Sequence, residues 1–559
     1  MKRLAAACTL LVFTACSKPV ANAAGGHGAT VTKGAAILDL VPADSPYVLA
    51  TLEPFPIELM EPWFAVSTGL LDKAGADLKT ASQAMGGSPE QTFLRVSLAL
   101  TEEFRGNMSA DGLDRMGIGR RPQFVLYGIA VLPAMRWRVA DAGKVEALIL
   151  RVLDKAKVTP RKQSLAGQAY WEFTDKDIVV ALARIGDEVV VGMATPKTAS
   201  TVLPLLFGQK KPARSLRASG ALTKVVEGHR LSPYFVGYVD FKQLARLLMR
   251  DGQGVDAQLM PVLLEKDTPV PAECKTELQA LLDLAPRMVV GYEKLTAKTM
   301  TAVFVLETRA DVTRRLAALK SPVPGLELTP TGSPLFMLGG GINIPRAIAL
   351  AQEVAALLAA KPFRCPKLDD LEEAGEEMAR TLATPLPPAI TGLQGGVVVV
   401  DEFQPPFLIR AHALIAHDKP QELLTLALGM AFPGLTVKDD GRAVRLPLEQ
   451  LGLPPMPAFI GTKGKLIAGA LGAGADTEVL ALFGAKTGPD APLLAFGYDV
   501  AKLVGIVKMF GTPADVSAFT MLGSWGWTSL AVHVTERGLT MKVTMDVPNV
   551  AAGVLAPKP

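Results

Sequence analysis

Reactive and metal-binding side chains are scarce in this 559-residue chain, which has four cysteines, five histidines and only 6% aromatic residues. No C-x-x-C, H-E-x-x-H, G-x-S-x-G or S-x-x-K spacing occurs. The signatures of a small zinc module, a zincin protease, a nucleophile elbow and a Ser-Lys nucleophile are therefore all missing. An excess of one charge is missing too. Lys and Arg number 58 against 54 Asp and Glu, for a net charge of +4, and no basic stripe interleaved with aromatics offers a phosphate backbone a footprint. Long apolar runs are lacking past the N-terminus. Every stretch, Ala347 to Ala360 included, meets a charged or polar residue well before the roughly 18 positions a membrane span needs.

What is present is aliphatic. Apolar residues make up 49% of the chain and charged residues 20%, the balance of a folded protein with ample core. At about 150 residues per domain the length suits two to four domains.

Self-similarity then narrows the architecture. Ser45-Pro46-Tyr47, Ser232-Pro233-Tyr234, Ser333-Pro334-Leu335 and Ala491-Pro492-Leu493 each open a short apolar run that leads into helical periodicity. Pro fits the start of a strand, where no ladder N–H is required. Val139-Ala140-Asp141 and Ile415-Ala416-His417-Asp418 end strands and start helices, with Asp141 and Asp418 expected as N-caps. Hairpin turns are expected at Ile185-Gly186-Asp187 and at Thr462-Lys463-Gly464. Each is followed by a helix closing in Leu-Phe-Gly-x-Lys, at Leu206 and at Leu482. The same spacing, 276 residues, separates Leu206 from Leu482 and Ala140 from Ala416. Near the C-terminus Leu539, Met541, Val543 and Met545 alternate with Thr540, Lys542, Thr544 and Asp546, as expected of a strand with one buried and one wet face.

These repeats predict an α+β fold of two tandem related domains, 34–320 and 325–550, joined near Ser321-Pro322-Val323-Pro324-Gly325 and followed by a tail, 551–559. Each domain is expected to be a mainly antiparallel sheet with helices on one face.

The first fifteen residues read as an export signal. Lys2 and Arg3 precede the apolar run Leu4 to Ala15, and the segment ends in Phe13-Thr14-Ala15-Cys16. That ending resembles the lipobox of bacterial lipoproteins, with Phe13 where the pattern prefers Leu. The resemblance implies that Cys16 becomes the diacylated N-terminus and the membrane anchor, with 17–33 a flexible tether. Ser17 after the cysteine is similar to the sorting pattern that sends lipoproteins to the outer membrane. Ala21-Asn22-Ala23 is a competing cleavage site that would release a soluble periplasmic protein.

Removal of the signal and acylation of Cys16 would leave Cys274 and Cys365 as the remaining thiols. In an oxidising envelope this pair is expected to form a disulfide clipping one repeat to the other, a loop closure of roughly 4 to 5 kcal/mol on the chain-entropy argument. Two separate buried thiols are the alternative. His412 and His417, five apart on or after a strand, point to opposite faces and should not share a metal. His417 is expected to support the turn before Asp418, and His533 to sit on a polar strand face. The acids Asp369, Asp370, Glu372, Glu373, Glu376 and Glu377 read as a solvated helix face. Gly339-Gly340-Gly341 and Gly472-Ala473-Gly474 precede helices, the second expected to be capped by Asp476 or Thr477, but neither completes a phosphate-binding motif, so turns and close packing account for them. No cofactor and no nucleic-acid partner are expected.

Most of 40–550, with motifs such as Ser232-Pro233-Tyr234 leading to Gly237-Tyr238-Val239-Asp240, resembles the internally duplicated envelope lipoproteins of Gram-negative bacteria known only as domains of unknown function. The resemblance implies no activity. The expectation is a non-catalytic binding or scaffolding protein at the outer membrane, with a carrier of lipid or another hydrophobic ligand, or a hydrolase without a local motif, as alternatives. Radiolabelled palmitate fed to a bacterial host is expected to label the wild-type chain and not the Cys16→Ser variant, which should also move to the soluble fraction. Label retained by Cys16→Ser would refute acylation there.

Overall fold

The computed structural model describes residues 36–55, 57, 64, 71, 74–80, 89–175, 178–249, 251, 255–264, 270–296, 298–321, 323–325, 334–359, 363–366, 368–404, 408–486, 488, 491–510 and 526–546. The expected signal segment, Cys16 and the expected tether, together with Pro322, Ser333 and the expected C-terminal tail, lie outside them. Helix and strand are mixed, 39% and 32%, with the strands in antiparallel sheet. By compactness the chain divides into unit 1, containing 1–270, 286–303 and 547–559, and unit 2, containing 271–285 and 304–546.

Unit 1 contains β1 (Tyr47–Ala50), β2 (Gln123–Ile129), β3 (Leu132–Arg138), β4 (Arg161–Leu165), β5 (Gln168–Asp175), β6 (Ile178–Ile185), β7 (Glu188–Ala194), β8 (Val236–Asp240) and β9 (Arg287–Leu295). Successive neighbours run β9-β8-β1-β2-β3-β7-β6-β5-β4, every pair antiparallel. Its helices include α1 (Ala142–Lys155), α2 (Ala199–Leu206) and α3 (Phe241–Leu248).

After β10 (Thr299–Glu307), unit 2 contains β11 (Phe336–Gly340), β12 (Leu393–Gln404), β13 (Leu408–His417), β14 (Val444–Arg445), β15 (Ala458–Lys463), β16 (Leu466–Leu471), β17 (Leu494–Asp499), β18 (Trp527–Thr535) and β19 (Gly538–Asp546). Here the order is β19-β18-β17-β11-β12-β13-β16-β15-β14, again antiparallel throughout. The helices of this unit include α4 (Ala272–Leu282), α5 (Ile344–Ala359), α6 (Asp369–Leu382), α7 (Pro420–Ala431), α8 (Ala475–Leu482) and α9 (Val500–Phe510). The two pairing orders coincide over eight strands, with β1 matching β11 at the centre.

The ladders fix the correspondence residue by residue and revise part of the sequence reading. Arg136 pairs with Val190 as Leu414 pairs with Ala468, so the spacing through these strands is 278, and 276 holds only for α2 and α8. Asp240 N–H donates to the carbonyl of Pro46, whereas Asp499 N–H donates to that of Leu335. The Ser-Pro pairs at 45–46 and 333–334 are therefore offset by one residue. Gly186 and Gly464 occupy equivalent two-residue hairpins, both at φ 61°, one residue from the expected pairing.

Helices cover both faces of each sheet, not one. Neighbouring residues on a strand point to opposite faces. On β3, Trp137 packs with Val145 and Leu148 of α1, while Arg136 reaches the carbonyl of Leu206 at the end of α2. In unit 2, Ile467 packs under α7 and Ala468 under α8. The reason is legible in β6 and β7, whose sequences IVVALARI and EVVVGMA are near-continuously apolar, the composition of strands buried on both sides. The expected wet face of β19 is also revised. Thr540 is 3% exposed, and its hydroxyl is satisfied by Thr535 Oγ1 at 3.1 Å, which removes the penalty for burying it.

Of the two expected caps, Asp141 accepts from Lys144 N–H at 3.0 Å. Asp418 caps nothing. The helix begins at Pro420 with Lys419 at the N-cap position and no side-chain cap, since Pro at N1 removes one N–H that would need a partner. Asp418 instead accepts from Gln394 Nε2 and Lys465 Nζ, both at 2.7 Å. Likewise Gly474, at φ 76°, holds the N-cap position of α8, not Asp476 or Thr477.

The deepest polar contact of unit 1 is Arg136, 1% exposed. Its Nε donates to Glu188 Oε2 at 2.8 Å and its Nη1 to Leu206 O at 2.7 Å, while Arg138 holds the other oxygen of Glu188 at 3.2 Å. Burial beside this pair pushes the Tyr127 hydroxyl pKa upward. In unit 2 the ladder-equivalent residues are Leu414 and Leu466. Arg136→Ala or Glu188→Ala should therefore destabilise unit 1 by about 3–5 kcal/mol, and Arg136→Leu/Glu188→Leu, copying unit 2, by far less. Urea unfolding checks this, and a double variant as unstable as either single one would contradict it.

Candidate functional site

Cys274 on α4 and Cys365 ahead of α6 are bonded, with Sγ atoms 2.08 Å and Cα atoms 4.6 Å apart. One turn along α4, the Glu277 carboxylate accepts the N–H groups of Arg364 and Cys365 at 3.0 and 3.1 Å. Positions i and i+3 share a helix face, so disulfide and carboxylate grip the same stretch of chain. Both cysteines belong to unit 2, and the bond closes within that unit and does not join the two. The grip lies at the turn between α5 and α6, two helices packed close enough that a Cβ on Gly375 would stand 2.6 Å from Leu358 Cβ.

The histidines have separate settings. His417, 2% exposed, accepts Lys419 N–H at Nδ1 (2.9 Å), so Nε2 carries the proton and donates to Ala389 O (3.1 Å). It is the turn support expected of it. His412 lies on β13 with Nδ1 3.2 Å from Asp401 Oδ2 and 3.9 Å from Glu478 Oε1, and Nε2 makes no hydrogen bond among the described residues. His533 lies on β18 and is half-buried. The hydrogen bond from His412, with the nearby charges of Arg410 and Lys502, holds the Asp401 carboxyl below the usual carboxylate range. Spacing in the sequence did not signal this cluster, because Asp401 reaches His412 across a β-hairpin. Among the described residues no group of three or more His, Cys, Asp or Glu is arranged to hold a metal ion, and no helix is long and apolar enough to cross a membrane.

The glycine stretches are explained by backbone proximity. A Cβ on Gly341 would lie 1.9 Å from Ser321 O, and one on Gly340 2.6 Å from Leu493 O. The acids of α6 lie on a helix whose residues, apart from Gly375, are mostly exposed.

A further candidate binding surface is apolar. In unit 1 a half-open groove of about 280 Å³ lies over β1, β2, β8 and β9, lined by Tyr47, Leu49, Leu126, Val239, Met288 and Val290. In unit 2 the ladder equivalents are Phe336, Leu338, Val398, Tyr498, Thr528 and Leu530. Five of those six are apolar or aromatic, although Leu338 and Val398 are each 44% exposed. Neither Ser-Pro motif nor periodicity revealed this strip, because short central strands carry too few residues for alternation to stand out.

In comparisons with known proteins the chain matches no family model, no curated protein and no solved structure.

Cys274→Ser/Cys365→Ser is expected to weaken the α4 to α6 region by about 4–5 kcal/mol, from the loss of a closed loop of 91 residues. Hydrogen exchange over 363–382 reads this. Alkylation of the denatured, unreduced wild type should modify neither Cys274 nor Cys365, and modification of both would show that the bond is not made.

Proposed function

We propose that this chain is a non-catalytic binding protein of the bacterial envelope, anchored by lipid on Cys16, built from two homologous tandem units and presenting the same apolar sheet face in both. The observation that carries this reading is the strip just described. Positions matched by hydrogen-bond ladder, not by sequence similarity, keep large apolar side chains where part of their surface faces solvent. Exposed apolar surface of this kind costs solubility unless something docks on it, and the matched pairing orders support descent of both units from one.

The groove over unit 1 favours an apolar ligand, such as an acyl chain or an aliphatic peptide segment, over a purely structural scaffold. It is open to solvent along the sheet and has Tyr47 at its edge, where an aromatic ring with a polar tip suits a boundary between apolar and wet surroundings. A membrane anchor would place this surface beside the richest source of such ligands.

Leu338→Glu/Val398→Glu tests the reading at side chains already part-exposed, so the fold should survive. Saturable fluorescence of N-phenyl-1-naphthylamine is expected to weaken about tenfold or more at unit 2, the loss of two partly buried aliphatic contacts. Leu49→Glu should act similarly at unit 1. Probe binding unchanged in both variants, with intact circular dichroism, would refute the proposal.

A further inference from the structure

One difference between the two units lies where β12 turns into β13. In unit 1 the equivalent hairpin closes through two residues, Ala130 and Val131, between Ile129 and Leu132. In unit 2 the strands run on, β12 to Gln404 and β13 from Leu408, with a register shift between Val400 and Glu402 that leaves Asp401 as the extra residue of a β-bulge. Bulges re-aim side chains and are frequent beside functional sites. The bulge adds Asp401 and the extension Gln404, while Glu402 and Arg410, a ladder pair, stand where unit 1 has Ile129 and Leu132.

Substitutions in the surrounding frame converge on the same place. His412 stands where unit 1 has Ala134. Lys502, whose N–H is capped by Asp499, stands where Gln243 is capped by Asp240. Glu478 occupies the α8 position of Val202 in α2. Three apolar or neutral side chains have thus become ionisable ones around one hairpin.

Between the extension and α9 lies a groove of about 300 Å³, lined by Asp401, Glu402, Arg410 and Lys502 and by Ile506 and Met509. Its two carboxylates and two cations balance. Asp401 is oriented by His412, and Glu402 accepts from Gln404 Nε2 at 2.7 Å. Arg410 approaches Asp401 only to 3.8 Å and makes no hydrogen bond among the described residues, so its planar fork is available for a carboxylate.

We propose that this groove is a binding site for a small zwitterion with an aliphatic side chain, a free hydrophobic amino acid or dipeptide, and that unit 1 has no counterpart. The ammonium group sits against Asp401 and Glu402, the carboxylate against the Arg410 fork in the positive field of Lys502, and the side chain on Ile506 and Met509. An uncharged ligand would leave the Arg410 fork without a hydrogen bond, and a simple anion would meet two carboxylates. The site is independent of the apolar sheet face.

Isothermal titration calorimetry of the whole chain with L-leucyl-L-leucine tests this. Saturable binding is expected, weakened about tenfold by Arg410→Gln, a side chain 59% exposed, and similarly by Asp401→Asn, each removing one charge-assisted contact. N-acetyl-leucyl-leucinamide should not bind, and Leu338→Glu/Val398→Glu should leave dipeptide affinity unchanged. No saturable heat at millimolar dipeptide, equal binding of the blocked peptide, or full affinity in Arg410→Gln would overturn the proposal.

Discussion

Each unit depends on a strand of four or five residues hydrogen-bonded along both edges. Val48 of β1 lies between Tyr127 and Tyr238, and Met337 of β11 between Val399 and Gly497. A buried backbone group left unpaired costs about as much as a lost hydrogen bond, so these few residues set the order of all the strands around them. The partners are far apart in sequence, and closing such loops is entropically costly before any contact compensates. The sheet is therefore a non-local structure, of the kind that folds slowly. Ala50 and Val236, buried on one side of that centre, leave the opposite side to Leu49 and its neighbours.

Within a shared ladder the two units solve the same packing problem with different chemistry. Arg136 and Glu188 form a buried ion pair closed by a helix carbonyl, and Leu414 and Leu466 fill the equivalent positions. An ion pair out of water roughly offsets its own desolvation and no more, which is why a sheet of one topology accommodates either. The same tolerance appears at α7, where a proline start replaces the side-chain cap that α1 takes from Asp141.

That tolerance also separates what is common to both units from what is particular to one. The apolar strip occurs in both, so a binding role assigned to it belongs to the fold itself. The charged groove occurs only where a hairpin has been lengthened and three neighbouring positions have become ionisable, so it is an addition to that fold. The Cys274–Cys365 bond and the Glu277 carboxylate serve a third purpose, holding the α5 to α6 turn against α4.

The Asp141 cap, the Gly186 and Gly464 hairpins and the Cys274–Cys365 pairing are all readable from local pattern, because each rests on a residue type with narrow physical preferences. Strand order, the helices on both sheet faces, the 278-residue register and the His412–Asp401 contact are not readable that way. They join residues brought together only when distant strands pair, and pairing is decided by which backbone edges and apolar faces remain to be satisfied. The sequence by itself determined where strands, turns and helix starts fall, since φ preferences and side-chain caps act within a few residues. Only the tertiary structure decided which apolar positions stay exposed and which charges meet, because both depend on the whole sheet closing around its central strand.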